Sequence, residues 1–112
     1  MTRYQALLQP FQLKHLTLRN RIMSTSHEPA YSEQGRPGLR YRLSHEEKAK
    51  GGIALTMIGG SAVVAPDSPP AVGNLHLFDE HIVADLRALA GGVHAHGAAV
   101  MCQITHFGRR TY

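Results

Sequence analysis

The last segment of the chain constrains the fold most, because a run of apolar residues leads directly into a polar cluster. Residues 98–102 are small or apolar, and Gln103, Thr105, His106 and Arg109 follow them. A continuous apolar run that ends in a polar loop is typical of a buried parallel strand in an α/β protein. Ligands of such folds bind at the carboxyl ends of the strands, so these polar side chains lie where a site would form.

Strand and helix patterns alternate along the rest of the chain. The predicted elements are a hairpin over 11–18, a strand over 21–23, a helix over 39–50, a strand over 53–58, a helix capped by Asp79 and ended by Gly97, and a strand over 98–103. Gly51-Gly52 ends the first helix, and Gly59-Gly60 breaks the second strand. Strands that alternate with helices predict a parallel sheet, either doubly wound or part of a (β/α)8 barrel.

Composition and charge argue against several classes of protein. The 112 residues carry a formal net charge of +4, but the basic residues are scattered and Trp is absent, so we expect no nucleic-acid partner. The single cysteine, Cys102, excludes an internal disulfide framework, and no Cys/His spacing suggests a metal site. No apolar stretch is long enough to span a membrane, and no leader follows Met1, so we expect a cytoplasmic protein.

Several short motifs together resemble the amino-terminal part of the old yellow enzyme (NADH:flavin oxidoreductase) family. The likeness is greatest to its 2,4-dienoyl-CoA reductase and trimethylamine dehydrogenase branch. The matching residues, in family order and spacing, are 7–11 (LLQPF), 16–21 (LTLRNR), 51–52 (GG), 59–60 (GG), 93–94 (VH), 97–98 (GA) and 103–109 (QITHFGR).

The resemblance implies a (β/α)8 barrel, with the 11–18 hairpin plugging its bottom and FMN bound at its top. Residues 1–112 would then form the amino-terminal part of one FMN-binding oxidoreductase domain, with its first three β/α units and no second domain. The resemblance also implies that the family's catalytic residues lie beyond Tyr112. An iron–sulfur cluster, a second flavin and NAD(P)H would belong to regions beyond it too.

Two residues at strand ends match flavin-binding positions of the family. The side-chain amide of Gln103 both donates and accepts hydrogen bonds, as the pyrimidine edge of the flavin requires. Gly60 has no Cβ, so a flat ring can approach its backbone closely. From the residues alone, a loop-capping glutamine and a plain turn glycine remain the alternatives.

The segment after the first strand matches a loop in which the family cradles FMN chiefly with backbone groups. It contains Ser26, His27 and Glu28, which we expect near the cofactor, with ordinary loop polarity as the alternative. Glu28 departs from the family pattern, because some members carry a cysteine near this place that tunes or covalently binds the flavin. The departure predicts a non-covalently bound FMN.

His106 and Arg109 follow Gln103 and are candidates for a substrate-side or flavin-side role. An imidazole and a guanidinium there could orient substrate or stabilise negative charge on the reduced ring. A structural role, in which both residues fix the loop, is the alternative.

The predicted function is hydride transfer between FMN and a small-molecule substrate, either an activated alkene or an N-methylated amine, by the longer enzyme of which this chain is a part. We expect the 112 residues alone to be inactive. The alternative is a non-catalytic remnant or truncated reading frame of such an enzyme. The sequence leaves the oligomeric state, and the choice between NADH and NADPH, open.

Overall fold

The computed structural model describes residues 3–68 and 73–108. Three short elements lead into a small parallel sheet whose strands are separated by two long helices. In chain order the elements are α1 (Gln5–Leu8), β1 (Phe11–Leu13), β2 (Leu16–Leu18), β3 (Met23–Ser24), β4 (Ser32–Glu33), β5 (Arg36–Pro37), α2 (Leu39–Lys50), β6 (Leu55–Val63), α3 (Ile82–Ala95) and β7 (Ala99–Thr105).

The predicted hairpin is confirmed as β1 and β2, which pair antiparallel. Phe11 lies opposite Leu18 and Leu13 opposite Leu16, with Lys14 at a φ of +52° in the turn. Most residues of this ribbon are exposed. Its apolar side chains and the inner side of the sheet line an open apolar cavity of about 330 Å³.

The main sheet has three parallel strands in the order β3-β6-β7. Met23 pairs with Leu55, and Leu55 in turn pairs with Ala99, so the strands begin at the same level. Parallel strands that start together also present their carboxyl ends to one edge, where α/β proteins place their sites. The sheet confirms the predicted α/β class.

Helices α2 and α3 cover one face of this sheet and form the core with it. Tyr41 and Ala49 of α2 meet Leu89 and Val93 of α3, and all four are fully buried. Helix α2 has the predicted bounds. Its charged helix-forming residues are followed by Gly51 and by Gly52, whose φ of +109° takes the chain out of the helix.

The second strand does not break at Gly59-Gly60, as the sequence predicted. Strand β6 continues to Val63, and its register with β7 shifts between Ile58 and Ala62. The two glycines adopt φ values of +103° and +58°, which side chains disfavour in a regular strand. The glycine pair therefore forms a bulge inside the strand, where it bends the chain without ending the pairing.

Other element boundaries move by a few residues. The first strand of the sheet is Met23–Ser24 rather than 21–23, and the last extends to Thr105. Asp79 is not the cap of α3, which begins at Ile82; its carboxylate instead accepts the His81 N–H (3.0 Å). A turn therefore separates Asp79 from Ile82, the first residue of the helix. Residues 32–37, predicted as loop, form the small β4–β5 hairpin.

Arg19 ties the amino-terminal edge of the sheet to the ends of both helices. Its guanidinium donates to the carbonyl oxygens of Ala49 (2.6 Å), Ile53 (2.7 Å) and His96 (2.5 Å). The neighbouring Asn20 donates to the Gly52 carbonyl (2.7 Å). Arg19 therefore adds a charged donor to carbonyl groups near the ends of both helices and the start of β6.

Candidate functional site

Ser26 and Gln103 meet at the carboxyl edge of the sheet, although 77 residues separate them. Ser26 lies in the loop after β3, and Gln103 lies near the end of β7. The Ser26 hydroxyl donates a hydrogen bond to Gln103 Oε1. The structure therefore brings together two of the residues that the sequence singled out.

Gln103 is on the face of the sheet opposite the helices. Side chains alternate along β7, so Val100 and Cys102 pack toward the helix core while Met101 and Gln103 are exposed on the other face. Burial raises the pKa of the Cys102 thiol. A protonated, half-buried thiol on the helix side is a poor nucleophile toward anything bound beside Gln103.

The bulge glycines place β6 in close contact with both neighbouring loops. A Cβ on Gly60 would lie 2.7 Å from the Glu28 nitrogen and 3.0 Å from its Cα. A Cβ on Gly59 would lie 2.7 Å from the Gln103 carbonyl oxygen, and the Gly59 N–H donates to the buried Tyr41 hydroxyl (3.0 Å). The missing side chain of Gly60 thus admits the backbone of the β3 loop; an approach of a flat ring to Gly60 stays a prediction.

The Glu28 carboxyl is turned inward, toward its own loop and Asn74. Its Oε1 accepts the Ala30 N–H (2.9 Å), while its buried Oε2 has no hydrogen-bond partner among the described residues. Desolvation raises the pKa of Glu28, against the opposing effects of the Ala30 N–H and the Asn74 amide. Glu28 therefore borders the Gly60 bulge with its backbone, whereas the adjacent His27 side chain is exposed.

His106 joins the loop after β7 to the loop after β6. Its Nε2 lies 3.1 Å from Asp67 Oδ1, and its Nδ1 accepts the Gly108 N–H (2.9 Å). The next residue, Phe107, donates its N–H to the hydroxyl of the fully buried Ser68 (2.9 Å). Both nitrogens of the imidazole are engaged by contacts within these loops, and a role of His106 toward flavin or substrate stays a prediction.

Arg109, the other predicted loop residue, lies outside the described residues. Asp67 and Ser68 were not predicted, because a proline-rich stretch signals only a turn and does not specify its partners. Tyr41 was also missed. Its spacing of four from His45 and of eight from Ala49, all buried on one face of α2, was the available signal.

Neither a metal centre nor a membrane span is found in the described part of the chain. Residues 3–68 and 73–108 contain no group of three or more His, Cys, Asp or Glu side chains placed to hold a metal ion. Within the same ranges, none of the helices has the length and apolar character needed to cross a membrane.

Known proteins with similar sequences include a demethylase and an alkene reductase/demethylase. The chain is 56% identical over 105 residues to a probable N-methylproline demethylase of Rhizobium meliloti, covering 94% of this chain and 16% of that protein. It is 54% identical over 104 residues to a multifunctional alkene reductase/demethylase of Caballeronia cordobensis, covering 93% of this chain and 15% of that protein. The chain thus spans about a sixth of the length of these relatives.

The fold is also found in solved structures. A 2-naphthoyl-CoA reductase superimposes with a TM-score of 0.89 over 97% of this chain and 17% of its own, at 24% identity. The sequence profile of the NADH:flavin oxidoreductase / NADH oxidase family matches residues 6–112. Because this match extends over nearly the whole chain, the chain belongs to the NADH:flavin oxidoreductase / NADH oxidase family.

Proposed function

We propose that this chain supplies part of the flavin site of an FMN-dependent oxidoreductase, which transfers a hydride between the flavin and an activated alkene or N-methylated amine. The observation that carries the proposal is the meeting of Ser26 and Gln103 at the carboxyl edge of the parallel sheet. An exposed amide held at that edge is suited to bind a polar planar ring.

The residues at this edge fit the pyrimidine end of FMN. Gln103 presents its amide on the exposed face, where it would hydrogen-bond the polar edge of the flavin. The backbone of residues 26–28 would border the ring beside the Gly60 bulge, as the close approach of Gly60 to Glu28 allows. Bound FMN supplies hydride transfer, and this chain's residues orient it and hold the surrounding loops.

The cofactor in this proposal is bound without a covalent link. The described β3 loop, residues 25–31, contains no cysteine, and Glu28 occupies the place where some family members carry one. Cys102 packs on the helix side of β7, on the face opposite Gln103. Neither position offers a thiolate to the ring.

We further infer that the sheet continues into a (β/α)8 barrel, of which residues 1–112 are the amino-terminal part. Within the described residues, β3 and β7 are the edge strands, and Met23 and Met101 on the inner face are exposed. Additional strands would cover both the edges and this apolar face. Residues that act on substrate and bind the FMN phosphate would then lie beyond Tyr112.

The names of two relatives support the substrate classes. One is described as an N-methylproline demethylase and the other as acting in both alkene reduction and demethylation. An N-methylated amine would deliver a hydride to the oxidised flavin, and an activated alkene would receive one from the reduced flavin. A small-molecule substrate is common to both directions.

The test is to purify the longest protein that the coding sequence containing this chain produces, and to record its visible absorption. We expect bound flavin that is identified as FMN. Anaerobic addition of N-methylated amines should bleach the flavin, and activated alkenes should reoxidise reduced enzyme. A protein that neither contains nor takes up FMN would contradict the proposal and favour a non-catalytic remnant.

A further inference from the structure

The hydrogen bond between Ser26 and Gln103 has a direction. The Ser26 hydroxyl donates to Gln103 Oε1, the oxygen end of the amide. No described residue accepts a hydrogen bond from the nitrogen end, and the Gln103 side chain is exposed. The amide therefore turns its oxygen toward the β3 loop and leaves both N–H groups available.

The reverse orientation satisfies fewer groups. A hydroxyl can also accept, so a rotated amide could donate from Nε2 to Ser26 Oγ. The hydroxyl hydrogen of Ser26 would then lose its acceptor on Gln103 and would have to turn to solvent. The observed orientation gives that hydrogen a partner within the protein.

The loop that carries Ser26 is itself held in place. Two residues further on, the backbone of Glu28 lies against the Gly60 bulge, and the Glu28 carboxylate accepts the Ala30 N–H. On the other side, Gly59 lies against the Gln103 carbonyl. Both partners of the hydrogen bond thus start from backbones fixed by the same bulge in β6.

We propose that Ser26 is a positioning residue that fixes the Gln103 amide with Nε2 facing the flavin, so that Gln103 donates a hydrogen bond to a flavin carbonyl oxygen. The inference rests on the proposed function, because it requires flavin beside Gln103. A donor at a carbonyl oxygen stabilises the negative charge that the ring gains on reduction. Ser26 therefore acts on both FMN affinity and the flavin's reduction potential.

The experiment compares three variants of the FMN-loaded protein: Ser26→Ala, Ser26→Thr and Gln103→Glu. FMN dissociation constants are measured by titrating apoprotein and following flavin fluorescence, and midpoint potentials by anaerobic redox titration. Removing the hydroxyl lets the amide rotate, so Ser26→Ala should raise the dissociation constant about three- to tenfold and lower the potential. Ser26→Thr keeps the hydroxyl and should retain both wild-type values.

Gln103→Glu separates a donor from an acceptor at the flavin. A carboxylate still accepts from Ser26 but has no N–H, so FMN affinity should fall at least about tenfold and the potential should drop. Wild-type affinity in Gln103→Glu would show that Gln103 only accepts, and wild-type values in Ser26→Ala would show that Ser26 positions nothing. Either result overturns the inference while wild-type FMN binding leaves the proposed function standing. Absence of FMN binding by the wild-type protein would defeat both.

Discussion

At the residue scale, two buried polar side chains, His45 of α2 and Thr56 of β6, pair with each other on the helix side of the sheet. Gln103 lies on the opposite face. His45 of α2 is 3% exposed, and its Nδ1 lies 2.7 Å from the hydroxyl of the fully buried Thr56. Burial, with a smaller contribution from Lys48, lowers the pKa of His45 to about 4. The ring is therefore neutral in the folded protein at neutral pH.

The pKa of His45 predicts a loss of stability in acid. Between the ordinary histidine value of 6.5 and about 4, the unfolded chain binds a proton at His45 that the folded protein does not. The free energy of unfolding is therefore unaffected above pH 6.5 and should fall by about 3 kcal/mol as the pH drops through this window.

Urea unfolding at a series of pH values checks this prediction. His45→Gln should be less stable at pH 7, because Thr56 loses its partner, but it should show a shallower decline in acid. His94→Gln, at an exposed position on α3, is the control and should follow the wild-type curve. An unchanged acid slope in His45→Gln would show that another group is responsible.

The position of Cys102 predicts that flavin is released when the protein is denatured. Its thiol has a raised pKa and packs on the helix side of β7, so it forms no cysteinyl bond to a ring beside Gln103. After acid precipitation of the flavin-loaded protein, we expect the yellow colour in the supernatant. Colour in the pellet would mean that a cysteine does reach the flavin.

The sequence located the candidate site better than it described each side chain. Gln103 and Ser26 lie at or just after the ends of predicted strands and match flavin-binding positions of the family that the sequence resembles, and the structure brings them into contact. The inward turn of Glu28 was not predictable, because it depends on the Gly60 bulge and on Asn74, far away in sequence. Their roles toward flavin stay predictions.

At the scale of elements, Arg19 adds hydrogen bonds between three parts of the chain at the amino-terminal edge of the sheet. Its guanidinium donates hydrogen bonds to the carbonyl oxygens of Ala49 at the end of α2, Ile53 before β6 and His96 after α3. Hydrogen bonds from a charged group are stronger than those between neutral groups. The residue therefore sets how both helices return to the sheet.

We expect Arg19→Met to lower the free energy of unfolding by about 1–3 kcal/mol, because three carbonyl groups lose a charged donor and two of the contacts are solvent-accessible. Denaturant unfolding measures the change. Arg87→Met, at an exposed position on α3, makes the same replacement and should leave stability within about 0.5 kcal/mol. Equal effects of the two substitutions on stability would show that the hydrogen bonds of Arg19 make no special contribution.

Local signals determined some elements fully and others only in part. Helix α2 has its predicted bounds because its composition and its terminal glycines agree. Strand β6 is longer than predicted because a glycine pair signals a break and a bulge equally well, and only pairing with β7 decides between them. The β4–β5 hairpin has two-residue strands, which are too short to produce a periodic pattern.

At the scale of the whole molecule, the described residues would form one side of the proposed flavin site. The three-stranded sheet has helices on one face, while the other carries Gln103 and exposed apolar side chains such as Met23 and Met101. A flavin that lay against this face would be exposed on its other side. Tight binding therefore requires the remaining strands of the proposed barrel.

This arrangement predicts that the 112-residue chain alone does not hold FMN tightly. Its β3 and β7 edges would lack partners, and it would contribute only the pyrimidine side of the site. A fluorescence titration of FMN with the purified chain should show no saturable binding in the sub-micromolar range. Saturation there would mean that these residues form a sufficient site and that the barrel proposal is unnecessary.

The proposed site places flavin at the carboxyl edge of the sheet, against Gln103. The most direct measurement is the FMN dissociation constant of Gln103→Leu in the flavin-binding protein, beside that of His94→Leu, which alters an exposed histidine near the opposite edge. Gln103→Leu should weaken FMN binding by roughly 1–3 kcal/mol, because polar atoms of the ring lose their partner, and His94→Leu should change it little. Equal losses from the two substitutions, or no loss from Gln103→Leu, would contradict the account.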